Sequence, residues 1–446
     1  MKKILYIVLI LFVAAFIYGA KYLLDRAPIF TGYSAKYVAS YKYLSGREQK
    51  EIEKTDLDFF PVNLAKNVVH DKEKSVVSTF LGRAAQKAVY HEGLGFTLVA
   101  DANEADIKMM TTHVKPLPEH PENIYWPTGD KLRDTIPPAI NIKRLHAAID
   151  SAFNKGNTRA VIVAYDTLFM SEKYGGGFSK NTPVLGWSMT KSITGTLVGI
   201  LVKQGKLDIH KPAPVKEWQN DERKKITLND LLHQSSGLQW VEDYGDISDA
   251  TVMLYQKGDM AKYAIDKPAL YPPDSVWYYS SGTSNIISEI IRRAIGNDRE
   301  YWDFPRKALF NKIGMRSAII ETDAAGNFVG SSYTFATARD WARFGLLYLK
   351  NGIWGNDTIL PPGWVKYATT PARKSNGEYG AQFWLNKAKK EIPDGPDDIF
   401  YCDGFQGQRV YIIPSKNIVI VRLGLNGHGE FDYNNFVMSI IHAINN

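Results

Sequence analysis

The sequence predicts an α+β protein: a sheet whose halves lie far apart in the chain, flanked by helices, with an all-helical region inserted between the halves. Three observations lead there. A helix followed by a hairpin opens the main part at residue 141, helical signals dominate from about Asp208 to Thr322, and strand patterns return near the C-terminus before a closing helix.

In the opening part, NIKRLHAAIDSAFNKGN places Leu145, Ala148, Ile149 and Ala152 at helical spacing, and Gly156 with Asn157 ends the helix. TRAVIVAYDTLFMSEKY is β-branched and aromatic on both sides of Asp166-Thr167, the pattern of a β-hairpin. SMTKSITGTLVGILVKQGKLDI then carries Met189, Ile193, Leu197, Ile200 and Leu201 on one apolar face and stops at Gly205, so Ser188 falls at its N-terminus. In the middle, ITLNDLLHQSSGL has Thr227 as a helix cap, and TSNIISEIIRRAIG and FPRKALFNKIG each end in glycine. Towards the end, GQRVYIIPSKNIVIVRLGL gives two β-rich runs joined by Pro414-Ser415-Lys416-Asn417, and DYNNFVMSIIHAI reads as the closing helix. No internal repeat or low-complexity tract is present.

Upstream, Lys2 and Lys3 precede an uninterrupted apolar segment, Ile4 to Ala20, closed by Lys21. Its length lies between the core of a cleaved signal peptide and a full bilayer span, and Tyr18-Gly19-Ala20 is a poor cleavage site. An uncleaved anchor is the preferred reading, with secretion the alternative if the leader is removed. The basic flank places the body outside the cytoplasm, in a bacterial cell envelope and anchored to the inner membrane. No cysteine follows the segment, which disfavours lipid attachment. Residues 22 to about 113 hold short amphipathic stretches such as SVVSTFLGRAAQKAVYHEGLGFTLVA and no motif with evident chemistry; they are read as an accessory N-terminal region. Between Val114 and Ile140, Pro116, Pro118, Pro121, Pro127, Pro137 and Pro138 forbid regular helix and suit an extended connector. The division is thus 1–21, 22–140 and 141–446, with a helical subdomain at about 208–322.

Composition narrows the function. With 446 residues and 45% hydrophobic content the chain is too apolar for disorder. The net charge of +7 comes from interspersed lysines and arginines without a basic run, which argues against nucleic acid as a partner. Cys402 is the single cysteine, so an intramolecular disulfide, a Cys-built zinc site and an iron–sulfur cluster are excluded. The nine histidines lack metal spacing such as H-E-x-x-H, and no metal or cofactor is expected. Gly175-Gly176-Gly177 lacks the Lys-Ser/Thr that would make it a phosphate loop and reads as the exit from the hairpin.

The chemistry-bearing stretch is GWSMTKSITG, residues 186–195. Residues three apart on a helix share a face, so Ser188 and Lys191 are within reach of each other. A serine hydroxyl becomes a nucleophile once a neighbouring base takes its proton, and a lysine does this when burial lowers its pKa. At a helix N-terminus the serine N–H and the helix dipole also favour a developing oxyanion. Taken alone, S-x-x-K is a weak signal.

In context, FSKNTPVLGWSMTKSITGTLVGILVKQGKLDI resembles the nucleophile region of the serine β-lactamase and penicillin-binding-protein superfamily, in particular its class C-like branch of esterases and 6-aminohexanoate-dimer hydrolases. Further signatures follow in family order: the SSGL of ITLNDLLHQSSGLQW, then PPDSVWYYSSGTSNIISEII, where Tyr279-Ser280-Ser281 stands in place of Tyr-x-Asn. The resemblance makes Tyr279 the general base and later acid, on the argument that a phenol beside a cationic lysine loses its proton more easily. Ser281 replaces the asparagine, as in the nylon-oligomer-type hydrolases. Where the family carries Lys/His-Thr/Ser-Gly, this chain has Cys402-Asp403-Gly404; Gly404 lets substrate approach the strand, and Phe405 donates the second oxyanion-hole N–H. The resemblance covers roughly residues 141 to 446 and includes GSSYTFATARDWARFGLLYLKNGIW, ILPPGWV and YGAQFWLN. It implies the β-lactamase/transpeptidase-like fold, with an antiparallel sheet.

The expected function is therefore a serine hydrolase acting through an acyl-enzyme on a small-molecule or peptide-like amide or ester, with the missing family cation making an amidase or esterase a better fit than a penicillinase. Ser188, Lys191 and Tyr279 are the catalytic candidates; Phe405, Gly404, Asp403, Cys402 and Ser281 line the site. Asp403 is either a turn-former or a receptor for a cationic substrate group, and Cys402 on its own reads as an inert strand residue. Two rivals stand beside this. Gly186-Trp187-Ser188-Met189-Thr190 nearly spells the G-x-S-x-G elbow of α/β-hydrolases, with His428 as partner, although the fifth position is Thr. Alternatively, the altered motifs mark a catalytically inactive relative that binds a peptide or peptidoglycan.

Overall fold

The computed structural model describes residues 2–117, 121–154, 157–427 and 429–444. Helix α1 (Lys2–Leu44) is the one helix among the described residues long and apolar enough to cross a membrane, judged by length and composition. It does not stop at Lys21. Residues 3–18 are exposed, but Ala27, Phe30, Ala35, Val38 and Tyr41 are buried, so the second half of the same helix is a core element. Pro28 lies inside it without ending it. Tyr33, Tyr37 and Tyr41 recur every fourth residue and stack, with centroid separations of 5.4 and 4.5 Å.

After α2 (Gln49–Thr55), the stretch without assigned chemistry forms a four-stranded antiparallel meander, β1 (Lys66–His70), β2 (Ser75–Phe80), β3 (Arg83–His91) and β4 (Gly95–Leu98), packed on α1. A short α3 (Glu104–Lys108) follows. The proline-rich connector, expected to be extended, instead folds between Pro121 and Lys131 into a 3-10 turn and hydrogen-bonded turns, closed by Asp130 N to Pro121 O at 2.7 Å and Trp126 N to Lys131 O at 2.9 Å. It is strapped down: Arg343 Nε donates to Pro127 O at 2.7 Å and its Nη2 to Gly129 O at 2.7 Å. The expected boundary near residue 140 is not a gap between cores, since buried side chains from both sides of the connector belong to one apolar cluster.

Beyond it come α4 (Ile142–Asn154), the hairpin β5 (Thr158–Tyr165) and β6 (Leu168–Tyr174), β7 (Val184–Leu185) and α5 (Thr190–Lys203). The helical region holds α6 (Leu228–Leu232), α7 (Asp249–Gln256), α8 (Met260–Ile265), α9 (Ser281–Ile295), α10 (Asp298–Pro305) and α11 (Asn311–Ile313). Thr227 caps α6 in a capping box with Asp230. Next are β8 (Ile319–Ile320), β9 (Thr334–Ala336), α12 (Ala338–Leu349), β10 (Ile353–Trp354), β11 (Asp357–Thr358), α13 (Trp364–Ala368) and β12 (Trp384–Leu385). The chain ends with β13 (Phe400–Gly404), β14 (Gln408–Ile413), β15 (Ile418–Gly424) and α14 (Tyr433–Ile441).

The main sheet is antiparallel, in the order β12-β13-β14-β15-β5-β6. Its halves meet where β5 pairs with β15, from Tyr165 opposite Ile418 to Ala160 opposite Leu423. Side chains alternate across the sheet. Val161 and Val163 face α4 and α14, whereas Ile162 and Ala164 join the large core with α5 and α12. A smaller sheet, β7-β9-β8, lies beside the turn that leads into α5. Gly175-Gly176-Gly177 directly follows β6, as the exit from the hairpin.

Two buried ionic clusters fix α1 to the body. The Glu321 carboxylate is paired with Lys36 and accepts hydrogen bonds from Ser40 Oγ (2.8 Å) and Phe96 N (2.7 Å). Asp56 accepts from Tyr37 (2.7 Å), Arg47 (2.6 Å) and Arg159 on β5. Removing one partner of a buried pair leaves the other charge uncompensated. We expect Lys36→Met to destabilise the folded chain by about 3 kcal/mol in urea unfolding; a loss below about 1 kcal/mol would show that the pair does not secure the helix.

Candidate active site

The site begins with the turn before α5. Gly186 N donates to Thr334 O on β9 at 2.8 Å, and Trp187 then takes a left-handed φ of +48°, a conformation bulky residues adopt rarely. Packing holds it there: the Trp187 ring is buried between Tyr33 (5.9 Å) and Phe405 (5.6 Å), and its Nε1 donates to Gln406 Oε1 at 3.3 Å. Trp187–Met189 form a 3-10 turn that runs into α5, so Ser188 sits just before the helix with a partly exposed side chain.

Lys191 is one turn further on and buried. Its Nζ donates to Ser188 Oγ (3.0 Å), Ser281 Oγ (3.1 Å) and Ser331 O (3.0 Å), which uses the three hydrogens of an ammonium. Burial pulls its pKa down to about 8, against the opposing pull of the Glu242 and Asp403 carboxylates. The Ser281 hydroxyl donates in turn to Glu242 Oε1 at 2.5 Å. Glu242 also accepts from Ser281 N (2.8 Å), Trp240 Nε1 (2.5 Å) and Tyr244 OH (2.7 Å).

Tyr279 lies over the amine, its ring centre 4.7 Å from Lys191 Nζ, and packs against Tyr379 and Trp384. The expectation that Lys191 eases proton loss from this phenol is overturned. Burial pushes the Tyr279 pKa well above its ordinary value, the neighbouring Tyr379, Glu242 and Tyr244 push the same way, and only contact with the Ser188 hydroxyl opposes them. Tyr279 is a neutral phenol at the site. Gln234, immediately before SSGL, holds the chain around Tyr279 in place: Gln234 O accepts from Tyr278 N (3.0 Å) and Gln234 Oε1 from Ser280 N (3.0 Å). Ser280 caps α9 through Thr283 N at 3.0 Å, so Ser281 opens that helix facing Lys191.

At the end of β13, a Cβ on Gly404 would lie 2.1 Å from Gly186 O. The glycine is required because the strand presses on the turn that carries Ser188, a backbone contact in addition to its place in the cleft wall. Phe405 follows, with its ring half-exposed, edge-on to Trp187 and stacked on Tyr244 at 5.8 Å. Two expectations on this strand are corrected. Asp403 is neither a turn-former nor an open receptor for a cation: it sits within β13, opposite Arg409 on β14 and ion-paired with it. Cys402 does not line the site. Its side chain is buried in the core on the other side of the strand, where burial pushes the thiol up to about 12. A cleft of about 460 Å³ lies on the polar side, lined by Gly404, Asp403, Arg409 and Trp384 among others.

Sequence reasoning missed Glu242, Tyr244 and Ser331. Glu242 and Tyr244 sit in WVEDYG immediately after SSGL, and a carboxylate among aromatic residues was a usable signal. Ser331 acts through its backbone carbonyl, which leaves no trace in side-chain identity. His428, the partner required by the α/β-hydrolase alternative, lies outside the described residues. That reading also needs a largely parallel sheet, and the pairings in the sheets here are antiparallel among the described residues.

The chain is similar to known proteins in sequence and in fold. The family model described as Beta-lactamase matches residues 153–435. The 6-aminohexanoate-dimer hydrolase of Paenarthrobacter ureafaciens is 23% identical over 322 residues, 65% of this chain and 80% of that one. A Bacillus anthracis structure provisionally named a 6-aminohexanoate-dimer hydrolase superposes with a TM-score of 0.58 at 23% identity, over 70% of this chain and 87% of that one. A family VIII carboxylesterase superposes with a TM-score of 0.52 at 15% identity, over 71% and 99% of the two chains. The chain belongs to the Beta-lactamase family, within the serine β-lactamase and penicillin-binding-protein-like superfamily, and is a hydrolase of that family.

Proposed function

We propose that the chain is a serine hydrolase of the class C-like branch that cleaves an amide or ester through an acyl-enzyme on Ser188. The observation that carries this is the Lys191 amine, buried, shifted to about 8 and 3.0 Å from the Ser188 hydroxyl. Neutral Lys191 takes the Ser188 proton as the Oγ–carbon bond forms. The backbone N–H groups of Ser188 and Phe405 receive the oxyanion. When the intermediate collapses, the neutral Tyr279 phenol donates its proton to the departing nitrogen or oxygen, and the Lys191 ammonium restores it. Water then attacks the acyl-enzyme with the proton flow reversed. The named relatives act on an amide, the 6-aminohexanoate dimer, and on carboxylic esters, which supports this substrate class. The apolar half of α1 anchors the chain in the membrane, with the body on the extracytoplasmic side, since Lys2 and Lys3 precede the span.

Intact mass spectrometry after treatment with a fluorophosphonate tests the nucleophile. One adduct per chain is expected, absent in Ser188→Ala and strongly slowed in Lys191→Ala; Ser188→Ala loses about 10⁴-fold or more in kcat, and Tyr279→Phe about 10²–10⁴-fold. A well-folded protein that takes no adduct would instead be the inactive peptide-binding relative.

The pH profile tests the base. The neutral amine is the active form, so kcat/KM for a neutral ester should fall about tenfold per unit below an apparent pKa near 8. The Glu242 carboxylate favours the ammonium. Glu242→Gln therefore moves that acidic limb to lower pH; a limb that stays fixed would remove Glu242 from control of the base.

A further inference from the structure

A second cavity, of about 200 Å³, lies on the other side of Phe405 from the polar cleft. One wall is α1, through Tyr22, Ile29 and Tyr33; the facing wall is Trp187, Tyr244 and Phe405, the residues that frame the nucleophile turn. Tyr244 OH is 3.0 Å from Ser281 Oγ, so the wall stands one hydrogen bond from the group that holds Lys191. The lining is aromatic and aliphatic apart from Arg26, Asp246 and Thr251, and Arg26 and Asp246 form an ion pair at 2.5 Å between α1 and the loop bearing Tyr244.

Its position along α1 is informative. Tyr22 is 36% exposed and Phe405, beside Trp187, 46%, whereas Phe30 and Tyr33, also in the lining, are 2% and 8% exposed, so the cavity is open at its Tyr22 end and again at Phe405. Tyr22 stands about 3 Å along the helix from Ala20, where the apolar segment ends, and Ile29 about 14 Å. The headgroup layer outside the hydrocarbon core is about 5–8 Å thick on each side. With α1 in a bilayer and unbroken into the body, the opening at Tyr22 is therefore held at headgroup level. Phe59 and Phe60, 42% and 62% exposed, also line it. Pockets that enclose a whole drug-sized ligand measure roughly 300–1,000 Å³; this one is smaller and fits a chain rather than an entire molecule.

We propose that this cavity seats the hydrocarbon chain of an amphiphilic ester or amide that reaches Ser188 from the bilayer surface, with its polar part in the cleft beside Gly404. The inference rests on the serine hydrolase reading and names its substrate class. Each buried methylene adds about fourfold to binding, so reactivity rises with chain length until the cavity is filled.

The test uses the full chain in phosphatidylcholine nanodiscs and p-nitrophenyl alkylphosphonates with methyl or octyl chains. Ser188 Oγ forms a bond to phosphorus, p-nitrophenolate leaves, and the serine proton passes to Lys191; intact mass gives the labelling rate. We expect an octyl-to-methyl rate ratio of at least about 10². Ile29→Trp on α1 and Val62→Trp, at a second lining residue just after Phe59 and Phe60, each narrow the cavity and should each lower that ratio tenfold or more relative to the unaltered chain, a comparison that cancels partitioning of the reagent. A third arm uses a dialkylglycerol phosphonate that does not leave its bilayer, placed in the same nanodisc or in separate vesicles; labelling is expected only in the same nanodisc. Labelling by both short and long reagents at a ratio near one, or a ratio unchanged in the variants that stay folded, overturns the chain-binding cavity and leaves the hydrolase standing. Octyl labelling without any from the bilayer-held reagent overturns delivery from the membrane. Failure of every reagent on folded protein removes the hydrolase reading itself.

Discussion

The constraint on which the site depends is the burial of the Lys191 amine. A lysine enclosed in a core costs free energy as an ammonium, and a fall in pKa from 10.5 to about 8 corresponds to about 3 kcal/mol. The fold tolerates the charged form because each of its hydrogens has an acceptor, and those acceptors come from distant parts of the chain: Ser188 before α5, Ser281 at the start of α9 and the Ser331 carbonyl before β9. An acceptor set drawn from three segments explains why the helical region must pack where it does. It also explains how a serine serves at position 281: its hydroxyl accepts from Lys191 while its proton goes to Glu242.

The N-terminal part supports the same site. Glu321, paired with Lys36 of α1, donates its backbone N–H to Tyr333 O at 2.9 Å and accepts Val329 N at 2.9 Å. The intervening chain carries the Ser331 carbonyl that holds Lys191, and the residue after Tyr333 supplies Thr334 O, which anchors Gly186. Helix α1 is thus packed behind the turn that carries Ser188, with Tyr33 against Trp187, and the strained φ of Trp187 is held partly by a residue outside the matched family segment.

Much of this was legible in the sequence because the signals were local. The β-branched run in TRAVIVAY and the apolar spacing of NIKRLHAAID are short local patterns, and the three-residue spacing puts Ser188 and Lys191 within reach of each other, although their chemistry is read from the family resemblance. What was not legible depends on tertiary context. The sequence marks only the apolar segment up to Ala20, yet packing of the tyrosine face against the body carries α1 on through Pro28 to Leu44. The direction of the Tyr279 shift was misjudged because it is set by burial among Tyr379, Trp384 and Tyr244, whereas the sequence shows only the neighbouring lysine. Asp403 looked available because its partner, Arg409, is opposite only after β13 and β14 pair.

That last pair bears on substrate choice. The resemblance to β-lactamases and penicillin-binding proteins implies a cation on the strand beside the nucleophile, which receives a substrate carboxylate. In this chain the position is Cys402, turned into the core, and the nearby guanidinium belongs to Arg409. Arg409 is already neutralised by Asp403 and by Glu391, whose Oε1 lies 3.1 Å from its Nε. A carboxylate entering the cleft would have to displace two carboxylates that the fold holds in place, and would meet their negative charge before any compensation. A neutral ester or amide meets no such opposition. On the proposed reading, the electrostatics of the cleft therefore favour an uncharged substrate group there, and the apolar cavity that shares Phe405 with it favours the same class of substrate from an independent direction.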